Sequence, residues 1–297
     1  MYMKDDVDKK NTHKTYFSIA GLLIVCIFIF TYGVWYQVSL SKTGLLEVSF
    51  LDIGQGDAIY IKTPSGSELI IDGGPDQKLL SEVGKVTSFF DRTLDMIIVT
   101  NPDKDHYAGF IDLLDRFKVD LLVEPGTISS TPTYHAFKTK VQEKGIAQKI
   151  IKRGDLITLD KEKQIFLEVL FPDRDASGMS TNDGSLVMKL AYGETCIMLQ
   201  GDSPSGVEEY IVNVLKDDVS CQILKTGHHG SRTSSSDAYV KAVTPEFAIV
   251  SLGKDNRYGH PHKEVLETLE NRDIKILRTD LEGTITFVSN GVRWQRQ

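Results

Sequence analysis

Clusters of polar side chains follow four apolar, strand-like segments of this chain. The clusters are residues 101–106 (NPDKDH), 200–202 (QGD), 225–231 (KTGHHGS) and 258–262 (YGHPH). Five of the seven histidines of the chain fall within them. Because a sheet holds strand ends rigidly, side chains that follow several strands can converge on one site. The pattern therefore predicts a domain built on β-sheet with a polar site at the ends of its strands.

Each cluster also has a purely structural interpretation. Asp103 or Asp105 could cap a helix that begins near Tyr107, because aspartate is a favoured N-cap residue. Asp202 could cap a helix over residues 205–215 in the same way. The coincidence of four clusters with most of the histidines favours a functional site over four separate helix caps.

The residue types in these clusters are those that bind a divalent cation. Neutral histidine nitrogens and carboxylate oxygens are common ligands, and the oxygen-rich mixture favours manganese or zinc. A bound ion lowers the pKa of its water towards about 7 and neutralises charge that develops on a phosphoryl oxygen. The clusters therefore indicate a hydrolase that uses one or two divalent ions.

Residues 44–297 contain no repeat, low-complexity tract or linker, which indicates one domain. Apolar runs bounded by turn residues predict strands over 46–52, 58–63, 68–72, 96–100, 164–171, 185–192, 195–200, 221–226 and 247–252, and a final hairpin that turns at Asn290-Gly291. Helical spacing of apolar residues predicts helices over 107–117, 134–143, 205–215, 237–243 and 264–270. Strands in hairpins with helices between them predict a mixed α/β (α+β) fold, with two sheets and helices on their outer faces.

An uncharged apolar run over residues 16–35 precedes this domain. Its length suffices for a helix to cross about 30 Å of hydrocarbon. Lysines at positions 4, 9, 10 and 14 indicate that the N-terminus stays inside the cell. We therefore predict a cytoplasmic tail over residues 1–15, a single transmembrane anchor over 16–36 and an extracytoplasmic domain over 44–297 at the cell membrane. A cleaved signal peptide and a buried core helix are the alternatives.

The net charge of the chain argues against a broad nucleic-acid-binding face. Lysine and arginine total 34 and the acidic residues 41, which gives a net charge of −7. Residues 1–40 carry four lysines and three aspartates, or +1, so residues 41–297 carry −8. A polyanionic substrate would need a metal ion or a local basic pocket.

The three cysteines, Cys26, Cys196 and Cys221, are too few and too scattered to indicate a disulfide framework. Cys196 and Cys221 lie inside apolar runs. We therefore interpret these two as small buried apolar side chains rather than as a bridge or a pair of metal ligands.

Five ordered motifs resemble those of the metallo-β-lactamase fold. They are residues 50–57 (FLDIGQGD) with 71–74 (IDGG), 100–106 (TNPDKDH), 201–203 (GDS), 225–231 (KTGHHGS) and 256–262 (NRYGHPH). More narrowly, they resemble the metallo-β-lactamase-like domain of ComEC-type competence DNA-uptake proteins. The resemblance covers about residues 46–290. It implies a four-layer αββα sandwich whose metal site lies at the edge where the two sheets meet.

The resemblance also implies roles for individual residues. The implied metal ligands are Asp103, Asp105, His106, Asp202 and one of His228 and His229, with Asp105 also taken as catalytic. His260 and His262 are implied to contact substrate phosphate or to protonate a leaving oxygen. The residues implied to line the substrate site are Asn101, Asn182, Ser185 and Ser231.

Asn101 departs from the family pattern, and the aspartates of the early strands have a separate interpretation. Asn101 stands where the family usually has a histidine, and an amide oxygen is a weaker metal ligand than an imidazole, which makes the first of two ions doubtful. Asp52, Asp57 and Asp72 belong to the early strands. We interpret Asp72 mainly as a structural turn residue, with the orientation of a histidine as the alternative.

The function that follows is a membrane-anchored, metal-dependent hydrolase of phosphodiester bonds, in DNA and related to competence. With one predicted span, the chain would act beside a separate DNA-uptake channel protein or alone on extracellular nucleic acid. One alternative is a hydrolase of small or wall-linked phosphoesters, which the charge of −8 favours. Another is a binding or scaffold domain with a degenerate site, which Asn101 suggests.

Overall fold

The computed structural model of the protein describes residues 21–33, 44–88 and 91–297. The chain divides into two units, Met1–Thr43 and Gly44–Gln297. Residues 21–33 of the first unit are helical, and the rest of the predicted anchor lies outside the described residues. Within the described ranges, no helix combines the length and apolar character needed to cross a membrane.

The second unit contains two β-sheets. Its strands are β1 (Leu46–Phe50), β2 (Ile59–Lys62), β3 (Glu68–Ile71), β4 (Thr93–Ile98), β5 (Lys118–Glu124), β6 (Ala147–Ile150), β7 (Leu156–Asp160), β8 (Ile165–Phe171), β9 (Val187–Tyr192), β10 (Thr195–Gln200), β11 (Ile223–Lys225), β12 (Phe247–Val250), β13 (Lys275–Arg278), β14 (Ile285–Ser289) and β15 (Trp294–Arg296). The first sheet has the order β15-β14-β1-β2-β3-β4-β5-β6, and the second has the order β13-β12-β11-β10-β9-β8-β7. In the first sheet β3 to β6 run parallel, and in the second β10 to β13 run parallel.

Helices lie in the connections between these strands. They are α1 (Lys78–Val86), α2 (Lys104–Tyr107), α3 (Gly109–Leu113), α4 (Pro132–Glu143), α5 (Ser205–Leu215), α6 (Asp237–Val243), α7 (Lys263–Glu270) and α8 (Thr279–Glu282). The helix predicted over 107–117 is two short helices, α2 and α3. The sequence patterns did not predict α1, α8, β5, β6, β7 or β13.

Three apolar clusters arrange these elements in four layers. Residues from both sheets, such as Val48 and Ile197, form the central cluster. Tyr60 faces the other way from its neighbours Ile59 and Ile61 and packs in a second cluster with α1, α3 and α4, because alternate side chains of a strand point to opposite faces. A third cluster joins the second sheet to α5, α6 and α7. The predicted two-sheet architecture with outer helices is confirmed.

The polar clusters found in the sequence follow the carboxyl ends of parallel strands. Residues 101–106 follow β4, residues 201–202 follow β10 and residues 226–231 follow β11. In open parallel sheets, ligands bind outside the carboxyl ends of the strands. The topology therefore places the reactive side chains of both sheets at a common edge.

Cys196 and Cys221 form a disulfide, so our interpretation of them as separate apolar side chains was wrong. Their Cα atoms are 5.2 Å apart, which lies within the usual range for a bridge. Cys196 lies on β10, and Cys221 comes two residues before β11, the parallel neighbour of β10. Helix α5 fills the connection between these strands. The separation along the sequence therefore concealed two positions that are adjacent in the sheet.

Candidate metal centre

Four buried side chains converge where the ends of the two sheets meet. They are Asp57, His106, Asp202 and His229, and one ligand atom of each lies within 4.8 Å of the others. The first two come from the half of the chain that builds the first sheet, and the other two follow β10 and β11. The resemblance implied His106, Asp202 and one of His228 and His229 as ligands, whereas it did not imply Asp57.

His106 lies between two carboxylates. Its Nδ1 atom is 2.8 Å from Oδ2 of Asp72, and its Nε2 atom is 3.1 Å from Oδ2 of Asp202. Asp72 also accepts hydrogen bonds from the backbone N–H and the hydroxyl of Thr100, at 2.7 and 2.6 Å. Asp72 therefore fixes the ring of His106 so that Nε2 points into the group, which is the alternative role considered for this aspartate.

His229 is held in the same manner. Its Nδ1 donates to the carbonyl oxygen of Ser251 at 3.1 Å and lies 3.3 Å from Oδ1 of Asp57. Its Nε2 is 3.3 Å from Oδ2 of Asp105 and 3.7 Å from Oδ1 of Asp202. Because Asp57 contacts the Nδ1 side of the ring, its position fits orientation of the imidazole better than direct ligation.

Asp57 is itself tied to a buried lysine. Nζ of Lys225 donates to Oδ2 of Asp57 and to the carbonyl oxygen of Thr226, both at 2.8 Å. The side chains of Lys225 and Asp57 are 0% and 2% exposed. A buried charge requires a partner of this kind, so the lysine neutralises the carboxylate that orients His229.

His228 and His229 diverge because both have left-handed backbone conformations, with φ of 47° and 54°. Such conformations are costly for non-glycine residues and occur at functional sites where the surroundings hold them. His229 is buried, whereas His228 is partly exposed, with Nε2 3.7 Å from Oδ2 of Asp202 and Nδ1 3.2 Å from the hydroxyl of Thr233. Both histidines therefore face Asp202, but from different sides.

Gly56 packs closely against the backbone of Asp105, which allows Asp105 to approach the metal-binding group. A Cβ atom on Gly56 would lie 2.4 Å from the carbonyl oxygen of Asp105, and Gly56 has φ of 132°. The next residue, Asp57, donates its backbone N–H to that same carbonyl oxygen at 3.2 Å. The loop before β2 and the start of α2 are thus joined at this glycine.

Charges within the group shift the pKa values of its members strongly. Burial alone would raise the pKa of Asp202, but the nearby imidazoles of His106 and His229 hold it well below its usual range. Burial opposes a charge on His229, yet the carboxylates of Asp202 and Asp57 raise its pKa to about 10. The pKa of His106 is raised well above its usual value by Asp202 and Asp72, again against the effect of burial. The carboxylates of the group therefore stabilise positive charge at its centre, where a bound divalent ion would take the place of the imidazole protons.

The donor set fits a divalent cation. Asp57 Oδ1, His106 Nε2, Asp202 Oδ1 and His229 Nε2 are buried, and none makes a well-directed hydrogen bond within the described part of the chain. Buried polar atoms are normally satisfied, so such a concentration at one point requires an explanation. Imidazole nitrogens and carboxylate oxygens in this arrangement are typical ligands of zinc and manganese.

Asn101 and Asp103 lie in a separate hydrogen-bonded network. The Asn101 amide donates to Oδ1 of Asn182 and to the hydroxyl of Ser185, both at 2.9 Å, and its Oδ1 accepts the backbone N–H of Asp103 at 2.8 Å. Asp103 accepts a hydrogen bond from Thr181 at 3.0 Å. All hydrogen-bonding atoms of the Asn101 amide are thus occupied.

His260 and His262 lie on a loop beside the metal group. The ring of His260 is 5.7 Å from that of His228 and 6.3 Å from that of His229, measured between centroids. Burial and the charges of His229 and His262 lower the pKa of His260 to about 4. Ser231 bonds to Thr233 at 3.0 Å, and it therefore supports the segment that presents His228 rather than pointing at the group.

The sequence motifs included Asp57 and Lys225 but gave no sign of their roles. Each precedes or follows a recognisable Gly-rich turn, which could have marked both as close to the site. Their pairing spans 168 positions and depends on the meeting of the two sheets.

This geometry, two buried imidazoles and shared carboxylates at the edge of a two-sheet sandwich, is that of a metallo-hydrolase. The family model of the metallo-beta-lactamase superfamily matches residues 51–254, and the chain belongs to that superfamily. Three of the curated relatives are competence proteins of the ComEC type. The chain is 33% identical over 265 residues to ComE operon protein 3 of Bacillus subtilis (strain 168), and 27% identical over 256 residues to Competence protein ComA of Neisseria gonorrhoeae.

Each of these two alignments covers 84% of this chain but 33% of the relative, so the chain spans about a third of their length. Among solved structures, it is similar to Igni18, a metallo hydrolase from the archaeon Ignicoccus hospitalis KIN4/I. The TM-score is 0.54 at 14% identity, with 82% of this chain and 98% of the other covered. This similarity shows that the two proteins share a fold.

Proposed function

We propose that the protein is a metal-dependent phosphodiesterase that cleaves DNA. The observation that carries the proposal is the convergence of three buried, unsatisfied ligand atoms from His106, Asp202 and His229, with the carboxylate of Asp57 beside His229. The relationship to competence proteins supports DNA as the substrate.

We assign the metal ligands as His106 and His229 through Nε2, together with Asp105 and Asp202. Asp57 and Asp72 position the two imidazoles from behind. A bound manganese or zinc ion would lower the pKa of a water molecule and stabilise charge on a phosphoryl oxygen. His228 lies at the exposed side of Asp202, where it can form a hydrogen bond or bind a further ion.

His260 and His262 are assigned to the substrate. Nδ1 of His260 is buried without a hydrogen-bond partner in the described chain, and the ring borders His228 and His229. A neutral imidazole at this position can donate to a phosphoryl oxygen and orient the scissile bond relative to Asp105. Nδ1 of His262 accepts the backbone N–H of Arg232, which fixes the second ring.

We also propose that residues 16–36 anchor the catalytic domain at the outer face of the cell membrane. The lysines before this segment support that orientation. The disulfide between Cys196 and Cys221 supports it independently, because disulfides persist in oxidising compartments outside the cytosol. A separate channel protein would then carry the DNA that this domain processes.

Small or wall-linked phosphoesters are the second candidate substrates, favoured by the charge of −8 on residues 41–297. The test is to assay the purified full chain, with manganese and with zinc, on single-stranded DNA, duplex DNA and a chromogenic phosphodiester. Cleavage of DNA that is lost in Asp202→Ala supports the proposal. Activity on small esters alone favours the second candidate, and no metal binding under any condition indicates a scaffold.

The proposed orientation of the domain, outside the cell membrane, has a separate test. Protease added to intact cells should release the domain if it faces outward. Protection of the domain in intact cells, followed by digestion after lysis, would contradict the proposed topology.

A further inference from the structure

We propose that the loop over residues 253–262, called the platform loop below, binds the bases of single-stranded nucleic acid next to the metal centre. This inference deepens the proposed function, since it names the form of the substrate. It rests on the exposed side chains of Arg257 and Tyr258, which the mechanism above does not use.

A row of rings connects the metal centre to the protein surface. The centroids of His106 and His229 are 5.6 Å apart, and those of His229 and His260 are 6.3 Å apart. The ring of Tyr258 stacks on that of His260, with centroids 5.7 Å apart and an interplanar angle of 25°. Tyr258 is 50% exposed, so the row ends in an aromatic surface that solvent can reach.

Arg257 extends this surface. Its guanidinium carbon lies 5.0 Å from the centroid of the Tyr258 ring, and Nη2 donates to the Tyr258 hydroxyl at 2.9 Å. Aromatic rings and guanidinium planes are the groups on which unpaired bases stack. The side chain of Arg257 is also exposed and can contact a phosphate.

The side chain of Asn256 makes four hydrogen bonds within the platform loop. Nδ2 of Asn256 donates to the carbonyl oxygens of Gly253 and His260, and its Oδ1 accepts the backbone N–H groups of Tyr258 and His260. The loop is also tied to the metal-binding segment, because the backbone N–H of His262 donates to the carbonyl oxygen of Gly230 at 2.9 Å. A preorganised loop loses less entropy when it binds a strand.

Local charge complements a nucleic acid strand although the domain is acidic. The platform loop carries Lys254 and Arg257 against Asp255, a net charge of +1, while residues 41–297 carry −8 in total. The loop that borders the site is therefore cationic within an acidic domain. The bases of a duplex are already stacked on one another, so a stacking surface selects single strands.

The experiment compares two oligonucleotides that differ only in their bases. Full-length protein is titrated with a fluorescent oligothymidylate of about twelve nucleotides and with an abasic strand of equal length, both with phosphorothioate linkages that slow cleavage. We expect the oligothymidylate to bind about tenfold more tightly than the abasic strand. Tyr258→Ala should remove most of this difference, whereas Tyr258→Phe should retain it because the ring remains.

The chain provides a matched control. Arg153 and Tyr210 form the same kind of pair, with the guanidinium 6.0 Å from the ring and Nη1 donating to the hydroxyl at 2.9 Å. The Tyr210 ring packs on Phe171 instead of a histidine. Tyr210→Ala should therefore leave the preference for bases unchanged.

Equal binding of the two wild-type strands, or an equal loss in Tyr258→Ala and Tyr210→Ala, would overturn the inference. Binding is measured without cleavage, so its outcome is separate from that of the proposed function. A protein that prefers the base-containing strand but hydrolyses no phosphodiester retains this inference and loses the proposed activity. An oligouridylate of the same length then tells whether RNA or DNA is preferred.

Discussion

Asp72 lies behind His106, with 2.8 Å between its Oδ2 and the ring Nδ1, and Asp57 has the corresponding position behind His229 at 3.3 Å. Each imidazole therefore presents Nε2 to Asp202 and has a carboxylate beside its other nitrogen, although Nδ1 of His229 donates its hydrogen bond to the carbonyl oxygen of Ser251. A carboxylate in this position fixes the tautomer of a ligating histidine and raises its basicity.

Replacing the carboxylate behind His106 should weaken metal binding. We expect Asp72→Asn to lower the affinity for manganese by about 10- to 100-fold, because the amide cannot orient and polarise the ring as the carboxylate does. The affinity can be measured by calorimetric titration. Asp52→Asn is the control, because Asp52 pairs with Lys78 away from the group. Equal affinities in the two variants would contradict the assigned role of Asp72.

The buried lysine should contribute mainly to stability. Lys225→Met leaves Asp57 buried without its partner, and breaking such a pair typically costs about 3 to 5 kcal/mol. Denaturant unfolding measures this loss. Lys118→Met should leave the free energy of unfolding nearly unchanged, because Lys118 and Asp120 are both exposed. A neutral effect of Lys225→Met would show that the pair is replaceable.

We expect Asn101 to limit the number of bound ions. Because its amide is committed to Asn182 and Ser185, we expect one tightly bound ion per chain and a second only at high metal concentration. Asn101→His supplies a nitrogen ligand and should shift the activity curve to lower manganese concentration. The same change removes the three hydrogen bonds of the Asn101 amide, so the unfolding temperature of the variant should fall. A variant with an unshifted curve would refute the weak second site.

The disulfide should stabilise the second sheet. Cys196 and Cys221 are separated by 25 positions, and a bridge over that length contributes about 3 kcal/mol in the chain-entropy model. The double change of both residues to alanine should lower the free energy of urea unfolding by that amount. Cys26→Ser removes an unbridged, exposed thiol and should have no effect. Identical unfolding curves for the three proteins would mean that the bridge does not form.

Local sequence patterns correctly predicted the strands and helices whose pattern lies within one short segment. The strand over Thr195–Gln200 and the helices over Ser205–Leu215 and Asp237–Val243 agree with the structure at both ends. Strand β6 was missed because it is an exposed edge strand with no continuous apolar run. Strand β5 was missed because its start at Lys118 directly follows a segment with helical spacing.

The sequence predicts which strand ends contribute to the candidate site. His106, Asp202 and the pair His228-His229 follow from motifs in the sequence, which do not tell which histidine of the pair is buried in the group. The roles of Asp57, Lys225 and the cysteine pair do not follow from the sequence. Each of these residues depends on a partner that the pairing of strands brings close. No local pattern encodes the distance between two strands that are remote in sequence.

The pairing of β1 with β14 has a consequence for how the protein matures. Leu46 lies opposite Ser289, so the strand made first in the domain completes its sheet with one of the last. Contacts of such long range slow folding, and the first sheet remains open until residues near 289 have arrived. If the domain is exported as proposed, β1 would leave the membrane before its partner β14 and would be unpaired. We therefore expect folding outside the cell to depend on chaperones that protect these strand edges until the final hairpin closes the sheet.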